Sequence, residues 1–493
     1  MTLLVALVIV APLLAASIGL LVRSHPIVRE SVVGLGLGTA AGSSIALLAA
    51  VIRSGTVTVR IGGWHPELGI VLVADLFAAL VLPWALTIIF VVELYAIGQR
   101  RTAWGSNPEL SGPLLAFLTA GLSLAFLTGD LFTLFVSFEV ILVSSYVLLT
   151  HQGRRGQIRA GMTYVAMNLF VSALFLFGLA FVYAATGTVN LALLAQRMPD
   201  LPDNVRVGIG AWFFVVFGTK AAVFPLFSWL PDAYPTAPTS ITAVFAGLLT
   251  KVGIYALIRF HTVTGMSDLG PVFLTVAGVT MVIGAVGALA QSNVKRILSF
   301  HIISQIGYML MGLGLFTVSG VGGAIFFLLH HMPVKTVLFL VGGLIENEQK
   351  SGSLDNSGGL ATRTPLVAAL FAIPALSLAG IPPFSGFVAK LAVVSAAVEQ
   401  ASTAVVVAAL VAGFLTILSM NKIWMGVFWG VRPDKAEQVP TGTGNLWLMR
   451  GSTALAVAAT LIIAALAGSL LGLSERAAID LMDPDVYIDE VLS

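Results

Sequence analysis

Apolar runs of roughly twenty residues follow one another along nearly the whole of this 493-residue sequence, with only short polar breaks between them. A soluble globule must cover itself with polar side chains, so this rhythm predicts a polytopic membrane protein. The runs are not local accidents: hydrophobic residues make up 58% of the chain, charged residues 10%, and the mean hydropathy is +1.00. Membrane barrels are written as short alternating segments, which this sequence does not show, so helices are the expected spanning element.

The pattern predicts an all-α fold of about 14 transmembrane helices beginning near residues 3, 31, 70, 112, 130, 161, 207, 239, 270, 299, 321, 365, 403 and 452. The first run, residues 1–22, has no basic n-region and continues past a short signal core, so it reads as a retained span. Cysteine is absent, which removes disulfides, thiolate metal sites and cysteine-held iron–sulfur clusters. No cofactor, no metal and no nucleic-acid partner is expected.

Basic residues in short loops set orientation. Loops after odd-numbered spans hold Arg23, Arg29, Arg100, Arg101, Arg154, Arg155, Arg159, Lys295, Arg296, Lys350, Arg363, Arg432, Lys435 and Arg450, while the even loops and tails hold Arg53, Arg60, Arg197, Arg206, Arg259 and Arg476. The odd loops are therefore expected in the cytoplasm and both termini outside, including the acidic tail with Asp480, Asp483, Asp485, Asp489 and Glu490.

Two spans carry breaks. Pro225 follows Lys220 and leads into Trp229-Leu230-Pro231-Asp232, and Gly380-Ile381-Pro382-Pro383 interrupts the run from Pro365 to Glu399. Proline removes a backbone donor and clashes with the preceding turn, so inside a membrane such breaks survive where they line a cavity or are packed in protein. Paired broken helices, here the seventh and twelfth, are the usual mark of inverted repeats around a site near mid-membrane. The expected organisation is one membrane domain over 1–493, with N-terminal helices in 1–111, a first five-helix repeat (helices four to eight) in 112–260, a second (nine to thirteen) in 270–430, and a C-terminal helix with its tail in 446–493.

Within the apolar runs lie Glu139, Lys220, Lys251, Lys335 and Lys390. A charge at the bilayer centre costs roughly 3 kcal/mol on insertion scales, so it is kept mainly where it faces a polar interior and has a task. Burial penalises the charged form of both groups and pairing opposes that penalty, so a carboxylate–lysine contact that forms and breaks can move each toward a working proton affinity. Lys220 is the expected partner of Glu139, because its helix is broken and its head group can move without displacing a span. Lys251, His330, His331 and Lys390 would continue the row, the imidazoles ordinarily titrating near neutral pH. Adjacent histidines on a helix cannot both face one axis, so one of the two is expected in the path.

Plainer readings stand beside this one. Glu139 and Lys220 could be a static pair that fixes packing, Lys251 could snorkel to an interface, the histidines could be hydrogen-bonded core residues, and Lys335 could be an entrance residue or a structural one. Asp75 and Glu93 read as peripheral or interface groups.

The segments Phe217-Gly218-Thr219-Lys220-Ala221-Ala222-Val223-Phe224-Pro225, Trp229 through Pro238 and Leu249-Thr250-Lys251-Val252-Gly253 resemble the signature of the antiporter-like membrane subunits. That family comprises the proton-pumping subunits of respiratory complex I and the large subunits of Mrp-type cation/proton antiporters. Asn293 through Gly307 and Gly380 through Phe387 are similar to further family segments. Complex I subunits generally have histidines around the Trp-Leu-Pro-Asp-Ala loop, where this chain has Ser228 and Tyr234. Gly62-Gly63-Trp64 and Leu72-Val73-Ala74-Asp75 resemble the D-type branch (MrpD) of the Mrp Na+/H+ antiporters.

What the resemblance implies is a fourteen-helix fold with two inverted five-helix repeats and a functional set on Glu139, Lys220, Lys251, His330 and Lys390. It also implies a plasma-membrane hetero-oligomer with the other Mrp subunits (A, B, C, E, F and G), exchanging protons for Na+ without catalysing a reaction. The alternatives are a membrane subunit of NADH:quinone oxidoreductase and a scaffold whose buried charges only organise neighbours.

Overall fold

The structure, a computed structural model, describes residues 1–103, 109–431 and 444–492. Arg432 and Lys435, counted above among the cytoplasmic cations, lie outside the described residues. The chain opens with α1 (Thr2–Leu21), α2 (Pro26–Ser54) and α3 (Leu76–Ala103). Between α2 and α3 lies a feature that the all-α expectation does not include, a two-stranded antiparallel sheet of β1 (Val57–Arg60) and β2 (Val71–Ala74), registered Val57 to Ala74 and Arg60 to Val71. The strands are four residues each, too short to stand out from the apolar run that continues into α3.

Next come α4 (Ser111–Leu127), α5 (Leu131–Thr150), α6 (Arg155–Thr186), α7 (Leu191–Arg197), α8 (Asp203–Ala221), α9 (Trp229–Ala233), α10 (Thr239–Val244) and α11 (Thr250–Val263). A π-helical turn, Phe245–Leu249, joins α10 and α11 into one continuous helix over Thr239–Val263. The second half holds α12 (Gly270–Leu289), α13 (Val294–Gly314), α14 (Val318–Gln349), α15 (Leu360–Arg363), α16 (Pro365–Ala379), α17 (Ser385–Glu399) and α18 (Thr403–Ile423). The chain closes with α19 (Leu446–Ala465), α20 (Ala467–Met482) and α21 (Pro484–Leu492). Among the described residues, eleven helices are long and apolar enough to cross a membrane, and α4 and α16 are shorter apolar helices.

The two breaks fall where proline geometry puts them. A proline ring clashes with the carbonyl four residues earlier, and α8 ends at Ala221 ahead of Pro225 while α16 ends at Ala379 ahead of Pro383. Each end is closed by a residue in left-handed conformation, Ala222 (φ 64) and Gly380 (φ 84), whose N–H turns back to the last carbonyls of its own helix. Pro333, by contrast, sits inside an unbroken α14. Other starts are capped by side chains: Asp130 accepts from Thr133 N at 2.6 Å to begin α5, and Thr317 accepts from Gly320 N at 3.1 Å to begin α14.

Burial separates the helices into two populations. The apolar stretches of Thr239–Val263 and Val318–Gln349 are wholly buried and that of Val294–Gly314 is 94% buried, whereas Thr2–Leu21 and Thr403–Trp429 are only 33% buried and turn their remaining apolar surface outward. A helix enclosed by other helices meets no lipid, so it can carry polar groups. Those enclosed helices carry Lys251, His301, His330, His331 and Lys335.

Candidate functional site: a row of buried lysines and histidines

Lys220 stands at the last turn of α8, one residue before the helix ends, and is 6% exposed. Its Nζ donates to Asn168 Oδ1 on α6 at 3.2 Å and lies 5.5 Å from the centre of the Phe138 ring. The expected contact with Glu139 is not formed: no salt bridge joins the two, and Glu139 Oε1 on α5 is buried with no hydrogen-bond partner. Asn168 provides Lys220 with a neutral acceptor, so the ammonium is satisfied without the carboxylate. Glu139 remains close enough to act on Lys220 electrostatically. A cavity of about 20 Å³ adjoins the head group, bounded by Phe138, Tyr164, Asn168, Trp229 and Leu249. That volume suits one water molecule.

Lys251 begins the next segment of the row. Gly253 makes the approach possible: a Cβ there would stand 2.6 Å from Ala221 N and 2.9 Å from Lys220 C, so α11 crosses the end of α8 at backbone contact. Lys251 is fully buried, and its Nζ donates to Ala246 O and to Thr250 Oγ1, the latter at 3.2 Å. Ala246 lies in the π-helical turn, a distortion that shifts the regular hydrogen-bond ladder and is frequent at functional sites. The head group points into the bundle, so Lys251 does not snorkel.

The two adjacent histidines diverge, as the helical rotation between neighbours requires. His330 Nδ1 hydrogen-bonds Ser385 Oγ at 2.8 Å, and Ser385 Oγ lies 3.3 Å from Ser377 Oγ, so His330 faces the broken pair α16–α17. His331 is wholly buried with neither ring nitrogen bonded, within electrostatic reach of Lys251 and Lys335. The two rings therefore face different surroundings, His330 a serine pair and His331 the side of Lys251 and Lys335. Lys335 is fully buried and donates to Leu298 O at 3.2 Å. Lys390 on α17 donates at 3.0 Å to Ala379 O, a carbonyl at the end of α16 left free by the break, and lies 5.5 Å from the Tyr308 ring.

Several members escape a reading of the sequence. His301 hydrogen-bonds Ser419 Oγ at 2.7 Å through Nε2, leaves Nδ1 without a partner, and feels the charges of Lys335 and Lys390. Gln305, one turn on, is buried with both amide atoms unpaired. The signal available is a polar pair at i and i+4 within an apolar run. Unpaired buried polar atoms carry a desolvation penalty of about 1–3 kcal/mol each, so their clustering at His301, Gln305 and His331 marks a place suited to water. Asp75 is not the peripheral group expected: it is 5% exposed and forms a bidentate pair with Arg259, itself 4% exposed and not a loop cation.

A polar vestibule of about 330 Å³ opens at the ends of α10, α13 and α14, lined by Gln99, Thr239, Asn293, Lys295, Gly343 and Glu346 among others. Lys295 pairs with Glu346 at 2.6 Å and donates to Thr239 Oγ1 at 2.9 Å. From Gly343 at its floor, eight residues of α14 lead to Lys335, about 12 Å along the axis.

Known proteins are similar to this chain over nearly its whole length. The family described as NADH:quinone oxidoreductase/Mrp antiporter, TM matches residues 128–416. The chain is 40% identical over 493 residues, covering 99% of both chains, to the D subunit of the Na(+)/H(+) antiporter of Alkalihalophilus pseudofirmus, and 36% identical over 461 residues, 90% of each, to that of Bacillus subtilis. Among solved structures it resembles a chain of the Mrp complex from Dietzia sp. (TM-score 0.92, 35% identity, 100% of both chains) and one of the membrane-bound sulfane sulfur reductase, an archaeal respiratory membrane complex (TM-score 0.90, 27% identity, 99% of both). The largely buried row, the paired breaks and this likeness agree, and the chain belongs to the NADH:quinone oxidoreductase/Mrp antiporter family of membrane subunits.

Proposed function

We propose that the chain is the proton-translocating subunit of a multisubunit monovalent cation (Na+)/proton antiporter, a secondary transporter and not a catalyst. The observation that carries this reading is what holds the four lysines, three of them buried and Lys390 partly so. Lys220, Lys251, Lys335 and Lys390 rest on an amide oxygen, a hydroxyl and backbone carbonyls, and among the described residues none makes a salt bridge. A lysine locked to a carboxylate leaves an uncompensated buried charge when it loses its proton. A lysine on neutral oxygens can alternate between ammonium and amine. Protons pass from the vestibule to Lys251 and Lys335, and along Glu139, Lys220, Lys251, His331, Lys335, His301, His330 and Lys390. Each charge that crosses is worth about 2.3 kcal/mol per 100 mV.

The same reading orders the topology. Eleven long spans, the shorter α4 and the two broken pairs α8–α9 and α16–α17 give fourteen crossings. Two inverted five-helix repeats then occupy 112–260 and 270–430, preceded by helices in 1–111 and followed by the C-terminal helix and acidic tail in 446–493. The vestibule faces the cytoplasm of a plasma membrane, and both termini lie outside. The names of the relatives and of the Dietzia complex support partners of the kind that make up Mrp antiporters, namely the other Mrp subunits (A, B, C, E, F and G).

The test is exchange in vesicles carrying the assembled complex with Lys220→Ala or Glu139→Gln. Loss of gradient dissipation at normal assembly is expected. Unchanged exchange would leave only a scaffold. A second reading, a membrane subunit of a redox complex, is favoured by the likeness to the archaeal respiratory complex. Co-isolation with flavin and iron–sulfur chains would establish it in place of the first.

A further inference from the structure

Lys251 is one of three polar residues stacked on one face of α11. Tyr255 follows after one turn and Arg259 after two, about 6 and 12 Å further along the axis. Tyr255 donates to Phe126 O at 2.6 Å and accepts from Arg259 Nη2 at 2.9 Å, and Arg259 holds Asp75 with two hydrogen bonds. The guanidinium is boxed by the rings of Phe77, Tyr255 and Tyr487, each 5.3 to 5.4 Å away. Tyr487 belongs to α21, so the last helix roofs this cluster. Its hydroxyl is buried with no hydrogen-bond partner, although the residue lies among Arg259, Asp75, Tyr255 and Asp130. A buried hydroxyl left open beside an ion pair is a place for water or a moving proton.

The roof is acidic and tethered. Arg60 donates to Leu492 O at 3.2 Å, and Glu490 bonds Thr56 just ahead of β1. Glu490 and Asp480 are half-buried around the pair. Burial, and then the nearby Asp75, raise both carboxyls from their ordinary values, opposed by Arg476 at Asp480 and by Thr56 and Arg259 at Glu490. A raised carboxyl holds its proton to higher pH, so both can carry protons where a free aspartate could not.

We propose that Asp75, Arg259 and Tyr487 form a second portal to Lys251, at the end of α11 opposite the vestibule, shut here by the Arg259–Asp75 pair and supplied by Asp480 and Glu490. Arginine does not give up its proton, so Arg259 acts as the latch and Asp75 as the acceptor. When the pair opens, Asp75 takes a proton from the roof, passes it by water past Tyr255 to neutral Lys251, and returns as carboxylate to Arg259. Lys251 is turned toward Ala246 in this structure, away from the portal. Its flexible stem can therefore serve one end of the helix at a time.

This inference rests on the proton-path reading and is tested separately from it. In vesicles with the assembled complex, exchange is measured while pH is varied only on the face bearing α21. Asp480→Asn with Glu490→Gln is expected to lower exchange several-fold where protons on that face are scarce, to leave it unchanged where they saturate, and not to alter the pH profile of the opposite face. Arg259→Gln is expected to raise passive proton leak several-fold, and Tyr487→Phe, which keeps the packing, to shift the same one-sided profile. If exchange in all of these matches the unmodified complex at every pH on that face, or falls equally on both faces in proportion to assembly, the cluster is only a clamp on α21. The portal is then overturned, while loss of exchange in Lys220→Ala would still uphold the row.

Discussion

Replacing Lys251 with methionine is expected to leave the assembled complex at least as heat-stable as before and to cut proton-coupled exchange by about 100-fold or more, the usual scale for removing a positioned proton carrier. The two effects diverge for one reason. Lys251 is fully buried, donates only to Ala246 O and Thr250 Oγ1, and has no carboxylate to leave stranded. Methionine has nearly the same length and no charge to desolvate, and that relief offsets the donor lost to Ala246 O and Thr250 Oγ1. The row, however, loses the group that stands between Lys220 and His331. Thermal unfolding and vesicle exchange on one preparation measure both sides of the claim. Exchange near the unmodified rate would mean that protons bypass α11.

The second large effect is architectural. Gly386, near the start of α17, faces the end of α16 so closely that a Cβ would stand 1.8 Å from Ser377 O and 3.0 Å from His330 Cε1. Gly386→Val is expected to force α17 away from α16, part Ser385 from His330, and cost about 3 kcal/mol or more, the upper range for overpacking. The yield and melting temperature of the assembled complex should fall together, with exchange lost. Gly208→Ala on α8, where a Cβ meets nothing within 4 Å, is the control and should assemble normally. A Gly386→Val complex that assembles and melts like the control would mean that the contact between the two half-helices does not hold the second half of the row.

Much of this is legible in the sequence because the signals are local. Pro225 and Pro383 fix helix ends four residues upstream, and a lysine in an apolar run announces itself. What stays hidden is non-local. Sequence pairs Glu139 with Lys220, but Asn168, fifty-two residues before Lys220, satisfies the ammonium instead. Asp75 and Arg259 look like a peripheral acid and a loop cation because their pairing spans 184 residues and is invisible to hydropathy. His301 lies inside a family-like segment without standing out, since its surroundings of Ser419, Lys335 and Lys390 exist only once α13, α14, α17 and α18 are packed. The β1–β2 pair is hidden in the same way, its eight residues blending into the approach to α3.

The central claim is that the buried lysines release and regain protons, and do not merely supply fixed positive charge. Lys251→Arg tests it most directly, because arginine keeps the charge but not the ability to give it up. With assembly verified by the co-purified subunits, the expected result is exchange as low as in the methionine variant. Exchange sustained by arginine at the rate of the unmodified complex would contradict the account.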